Sequence, residues 1–252
     1  MSSAPLLYVC VRPQQGAATA EYESFRAAMR LEPAQLARHD LVRDALPADA
    51  FEAYSGFLIG GSPFNVADPE STKTDAQLRL EADLERIARA TAGGDGPAAL
   101  FTCYGIGIVT RMLGGRVSRA FPEDTGPVAI ELTEAGRADP ITGALAARFT
   151  ALTAHKEGTA TTPPGSVLLA TNEACPVQAY SVGGRLYATQ FHPEPTTRAF
   201  TERMAVYRDD GYFEARDYDE IAGRVLAASV TEPSRLLRSF AQRFGSVAPV
   251  PQ

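Results

Sequence analysis

Two short stretches of the sequence carry residue types that can do chemistry together. The first, PAALFTCYGIGIVTRMLGG (residues 97 to 115), runs a buried strand straight into a helix that stops at Gly114-Gly115, with Cys103 at the corner. A sharp strand-to-helix turn lifts a side chain clear of both elements, and the helix N-terminus beneath it favours the thiolate. The same pattern also fits an inert core cysteine. The second stretch is Tyr187-Ala-Thr-Gln-Phe-His192-Pro193-Glu194. Pro193 should end a strand, which puts His192 and Glu194 at its edge rather than buried in mid-sheet. An imidazole beside a carboxylate is the base-plus-orienter half of a triad: the carboxylate fixes the tautomer and the other ring nitrogen faces a thiol. A surface His-Pro-Glu turn is the plainer alternative.

The rest of the composition limits what else the chain can be. With 252 residues and 45% hydrophobic side chains, it can bury a sizeable core, and no Pro/Ser-rich or single-sign stretch divides it. A net charge of -6 and a pI near 5.2 argue against a nucleic-acid footprint. No run approaches the roughly 18 apolar residues of a membrane span, and the first residues lack the charged and apolar regions of a signal peptide, so a cytoplasmic protein is expected. Cys10, Cys103 and Cys175 fit neither a disulfide framework nor a zinc site, so no metal is expected. A base for the thiol must come from His39, His155 or His192.

The elements that would position these residues follow from hydrophobic spacing. Leu6 to Val11, Leu36 to Val42, Phe57 to Ile59 and Pro97 to Thr102 read as strands. Tyr22, Phe25 and Met29 recur at helical spacing, and Leu80, Leu84 and Ile87 mark an amphipathic helix over 72 to 92. Residues 44 to 54 read as a loop or short helix. The third strand ends in Gly60-Gly61-Ser62-Pro63, either a plain turn or a ligand-lining junction of an open α/β sheet. This alternation predicts an α/β fold with a mostly parallel central sheet flanked by helices. A β-rich segment follows residue 125, with a hairpin at Gly183-Gly184, and then C-terminal helices containing Ile221 and Val225, and Leu236 and Phe240. One domain is expected over 1 to 245, with a loose tail over 246 to 252.

Taken together, LIGGSP (58 to 63), FTCYGIG (101 to 107) and ATQFHPE (188 to 194), with AHKE at 154 to 157 and CPVQAY at 175 to 180, resemble the motifs of class I glutamine amidotransferases. Within that family they are most like the glutaminase part of GMP synthase, and the resemblance covers most of residues 5 to 200. It implies a flavodoxin-like fold in which Cys103 is the nucleophile, His192 the general base and acid, and Glu194 its partner. It also implies an oxyanion site made by the Tyr104 N–H and by Ser62 or Gly61, and a substrate-contacting loop at Ala154 and His155. The implied substrate is glutamine or a γ-glutamyl compound, with no cofactor and with ammonia passed to a separate synthetase subunit. Chain order speaks against an α/β-hydrolase, whose acid precedes its histidine. QFHPE is not expected in the intracellular protease and chaperone group.

Three departures from the family pattern bear on packing and substrate. Phe101 replaces a Gly two residues before the nucleophile, Gly107 replaces a substrate-holding Gln, and Ser62 replaces a second Gly. The last two also suit a γ-glutamyl peptidase with the same triad. A non-catalytic subunit on the same fold is the third alternative.

Overall fold

The structure, a computed structural model, describes residues 4–245; the expected tail over 246 to 252 lies outside the described residues. The first half runs β1 (Leu6–Cys10), α1 (Gln15–Met29), β2 (Leu36–Asp40), α2 (Ala50–Ala53), β3 (Gly56–Ile59), α3 (Asp75–Ala92), β4 (Ala98–Thr102) and α4 (Tyr104–Met112). Next come β5 (Val117–Ser118), β6 (Glu123–Leu132), α5 (Glu134–Ala138), β7 (Arg148–His155), β8 (Gly158–Thr159) and β9 (Val167–Thr171). The hairpin β10 (Ala179–Val182) and β11 (Leu186–Thr189) then leads into α6 (Thr197–Val206), α7 (Tyr218–Ala227) and α8 (Pro233–Phe244).

One nine-stranded sheet has the order β2-β1-β3-β4-β11-β10-β9-β6-β7. From β2 to β11 the neighbours are parallel; from β11 to β7 they are antiparallel. The parallel strands are continuous apolar runs because helices cover both faces. Leu6, Tyr8 and Cys10 point to the face that holds Phe25 of α1 and Leu236, Leu237 and Phe240 of α8. Leu7 and Val9 point the other way, to Leu80, Leu84 and Ile87 of α3 and Ile106 and Val109 of α4. Period-two alternation thus splits the core between two layers.

Topology fixes where a site can form. The chain leaves β1 for β2 on one side and returns to β3 on the other, which opens a crevice at the carboxyl ends of the strands. Arg12 follows β1, Gly61 and Ser62 follow β3, Cys103 follows β4 and His192 follows β11. Four adjacent parallel strands therefore deliver these residues to one rim. The Gly183-Gly184 turn has φ of 59 and 69°, the left-handed pair that a two-residue hairpin needs.

Spacing did not predict α5, α6 or the small β5-β8 sheet. Helix α6 has only Phe200 and Met204 as large apolar residues on its buried side, with Arg203 between them. That stripe is too sparse to read as amphipathic.

Candidate active site

Cys103 caps α4 with φ 50° and ψ −102°, a conformation that a non-glycine residue adopts at a cost of about 1–3 kcal/mol. The surroundings hold it there. Its N–H donates to Thr189 O at 2.8 Å, its C=O accepts from Ile106 N at 3.2 Å, and Thr102 Oγ1 donates to Ile59 O at 3.0 Å. Strand and helix cross so closely that a Cβ on Gly105 would lie 2.9 Å from Phe101 Cβ. This is how the corner accommodates Phe101: its side chain packs in the core layer of Leu7, Leu80 and Ile106, and Gly105 makes the room. Tyr104 OH, bonded to Glu81 at 2.8 Å, anchors the first turn of α4. The thiol lies 3.8 Å from Ala154 O, and Cys103 is 8% exposed.

His192 is reached three residues past the end of β11. Its N–H donates to Leu152 O at 2.9 Å, and its Nδ1–H donates to Glu194 Oε1 at 3.1 Å. Both residues lie beyond the end of β11, as Pro193 predicts, but they are not left exposed. Strand β11 is flanked by β4 and β10, and both His192 and Glu194 are buried. The cover is Phe200 and Arg203 of α6, and Arg203 Nη1 donates to Glu194 Oε1 at 2.6 Å. Burial disfavours the charged imidazole, but the Glu194 carboxylate and the neighbouring Cys103 outweigh it and push the His192 pKa up to about 9. Burial likewise works against the Glu194 carboxylate, yet His192 and Arg203 hold it well below the usual carboxylate range.

Behind this pair stands a buried ionic chain. Arg12 donates to Glu21 Oε1 through Nε at 2.9 Å and Nη2 at 2.8 Å, and through Nη1 to Tyr207 OH at 3.0 Å. Glu21 also accepts from Tyr8 OH at 2.7 Å and Gly61 N at 3.2 Å, and lies 3.4 Å from Arg203. Sequence reasoning missed Arg12, Glu21 and Arg203. A signal existed: Glu21 shares the buried face of α1 with Ala17, Ala18 and Phe25, and Arg203 lies between Phe200 and Met204. An ionised group on an apolar stripe needs a partner.

The other predicted residues sort clearly. The Gly61 N–H is committed to Glu21, whereas the N–H groups of Ser62 and Tyr104 donate to no acceptor among the described residues. Ser62 Oγ donates to Val11 O at 2.8 Å, which fixes the loop. Ala154 reaches the thiol with its carbonyl. His155 faces away, its Nε2 2.7 Å from Glu123 Oε2 and its Nδ1 2.9 Å from Glu157 O. Cys175 is buried beside Glu123, and its thiol pKa is pushed up to about 12, chiefly by burial.

Two chambers meet at Cys103. The front one, about 360 Å³ with its open mouth, is lined by Asn65, Tyr104, Gly107, Gln190 and the loop after Ala154. The rear one, about 410 Å³ again with its open mouth, is lined by Arg12, His192, Arg203 and aromatic residues. A Cβ on Gly107 would lie 3.0 Å from Val66 Cγ2 and 3.6 Å from Val117 Cγ2, so two valines close over the place where the family carries its Gln.

Two trios have metal-ligand geometry, Glu123-His155-Cys175 and Glu21-His192-Glu194. Their carboxylates already accept from Asn172 and Gln178, or from Arg12 and Arg203. No helix among the described residues is long and apolar enough to cross a membrane.

Comparison with known proteins agrees with the fold and the motifs. No family model matches the chain. It is 30% identical over 138 residues to a GMP synthase [glutamine-hydrolyzing] of Thermus thermophilus, covering 54% of this chain and 24% of that protein. It is 31% identical over 140 residues to that of Thermomicrobium roseum, covering 55% and 23%. Gamma-glutamyl peptidase 3 of Arabidopsis thaliana is 26% identical over 152 residues, covering 57% and 55%. The chain thus spans about a quarter of the length of the GMP synthases it matches. A glutamine amidotransferase structure from Thermotoga maritima superposes with a TM-score of 0.71 at 18% identity, over 96% of this chain and 97% of that one. One from Methylobacillus flagellatus gives 0.66 at 17%, over 97% and 94%. The fold is that of glutamine amidotransferases, and the chain resembles the class I glutaminase part of GMP synthase.

Proposed function

We propose that this chain, with the fold and motifs of class I glutamine amidotransferases, is a thiol amidohydrolase that cleaves the side-chain amide of glutamine or of a γ-glutamyl compound. The observation that carries the reading is Cys103 held at positive φ on a strand-helix corner, facing a His192 whose far nitrogen is tied to Glu194. The Cys103 thiolate attacks the amide carbon, and the tetrahedral oxyanion is received by the N–H groups of Tyr104 and Ser62. Each such donor is worth about 3 kcal/mol. Gly61, whose N–H is taken by Glu21, provides space instead. His192 gives its proton to the departing amine; water then hydrolyses the thioester, with His192 as base. The buried Glu194-Arg203 pair keeps the imidazole oriented throughout.

A thiol nucleophile works only in the reduced state, and Cys10, Cys103 and Cys175 are all free, which supports a reducing compartment such as the cytoplasm. If the product is ammonia, a separate synthetase subunit is its proposed acceptor. The test is Cys103→Ser, which is expected to abolish ammonia release from glutamine and labelling by an electrophilic glutamine analogue. Full activity in that variant would overturn the assignment. A second reading, a γ-glutamyl peptidase, is favoured by the valine-filled space at Gly107.

A further inference from the structure

The two N–H groups assigned to the oxyanion come from different segments of the chain. The ladder between β3 and β4 ends at the Ile59–Phe101 pair, and Ser62 and Tyr104 both lie beyond it. Past the bond from Thr102 Oγ1 to Ile59 O, no hydrogen bond among the described residues joins residues 61–67 directly to 103–107. Sheet pairing therefore does not set the distance between the two donors.

Helix α3 reaches both segments through Glu81. This residue is 3% exposed, and its carboxylate accepts a full set of hydrogen bonds. Oε1 takes Tyr104 OH at 2.8 Å and Gln77 Nε2 at 3.0 Å, while Oε2 takes Lys73 Nζ and Arg111 Nη1, both at 2.8 Å. Two of those donors hold the other segment at the same time. Lys73 Nζ donates to Val66 O at 3.0 Å and Gln77 Nε2 to Asn65 O at 3.3 Å. The loop passes this grip back to Ser62, whose Oγ accepts from Phe64 N at 3.3 Å. Burial works against the ionised form, but the four donors hold the Glu81 pKa below the ordinary carboxylate value, so the carboxylate stays charged through neutral pH. Hydrogen bonds to a charged acceptor are about twice as strong as neutral ones, which suits a brace between two loops. A buried ion adds little net stability, so its effect lies in position.

We propose that Glu81 is a positioning residue for the oxyanion site, holding the N–H groups of Ser62 and Tyr104 at the separation that the tetrahedral intermediate needs. This inference rests on the amidohydrolase reading. Glu81 touches no reacting atom; it acts through Tyr104 on one side and through the carbonyls of Asn65 and Val66 on the other.

The test uses the full chain as wild type, Glu81→Gln and Tyr104→Phe, the last of which removes the hydroxyl and keeps the N–H. Two rates are measured. One is turnover of glutamine or γ-glutamyl-4-nitroanilide, whichever the wild type cleaves; the other is alkylation of Cys103 by iodoacetamide, followed by peptide mass. In alkylation the thiolate forms the S–C bond as iodide leaves a methylene carbon, so no oxyanion develops. In Glu81→Gln, kcat should fall about 10- to 100-fold, as for a displacement near 1 Å at the reacting centre, with KM and the alkylation rate within about twofold of wild type. Tyr104→Phe should lose about three- to tenfold in the same pattern. A kcat within about twofold of wild type, a loss that lies in KM, or an alkylation rate that falls in step with kcat overturns the proposal. If Glu81→Gln fails to fold, Tyr104→Phe decides by the same criteria. Failure of the wild type to cleave either compound overturns the underlying amidohydrolase reading instead.

Discussion

Gly61→Ala tests whether the position of His192 limits catalysis. A Cβ at this position would lie 2.7 Å from both Arg12 Nη2 and His192 Cε1, where ordinary contacts begin at 3.4 Å. Both contacts must open by roughly 0.7 Å. Arg12 is poorly able to move, because its guanidinium is fixed to Glu21 at 2.8 and 2.9 Å and to Tyr207 at 3.0 Å. The imidazole is tied at the ring by one 3.1 Å bond to Glu194, so it gives way and turns from the thiol. A displacement near 1 Å at a reacting group costs on the order of 100-fold, so kcat/KM should fall roughly 10- to 100-fold. Overpacking should also cost about 1–3 kcal/mol of stability. The assay is ammonia or amino-acid release under subsaturating substrate, paired with urea unfolding. A kcat/KM within twofold of wild type would refute the claim that this contact sets the imidazole's position.

Three further outcomes are expected. With His192 acting as the acid, kcat/KM should hold through neutral pH and fall as pH rises through about 9, where the imidazolium is lost. Glu194→Gln removes a carboxylate that raises this pKa while burial, which lowers it, remains, so the alkaline limb should move to lower pH; an unmoved limb in a pH-rate profile contradicts the pairing. Gly105→Ala places a Cβ 2.9 Å from Phe101 Cβ and should destabilise by about 1–3 kcal/mol, and adding Phe101→Gly should give less than the sum of the two single effects in denaturant unfolding. Gly223 lies inside α7 with nothing within 4 Å of a Cβ, so Gly223→Ala should raise stability by about 0.5–1 kcal/mol in thermal unfolding and leave activity unchanged.

Much of the architecture was legible because its signals are local. Continuous apolar runs announce β1, β3 and β4, and the glycines and proline after Ile59, Thr102 and Phe191 mark where each strand releases its functional residue. What could not be read depends on pairings far apart in the chain. Glu194 is buried because α6 folds back over it and supplies Arg203, and the spacing of α6 is too weakly amphipathic to foretell that. His155 sits in a segment that resembles a substrate loop, but only the approach of Glu123, 32 residues earlier, reveals that its ring turns away. Gly107 was legible as a departure from the family; that Val66 and Val117 occupy the space was not.

The missed ions also explain why the site is rigid where it is. From Arg12 through Glu21, Arg203 and Glu194 to His192, charges alternate in a buried line. Such a line adds little net stability, because desolvation offsets most of the attraction, yet removing one member costs about 3–5 kcal/mol by stranding its neighbour. Its effect is positional: with Glu194 held from behind by Arg203, the imidazole cannot rotate without breaking a buried bond. Arg203 commits only Nη1 to that line, and its Nε and Nη2 are buried without a hydrogen-bond partner.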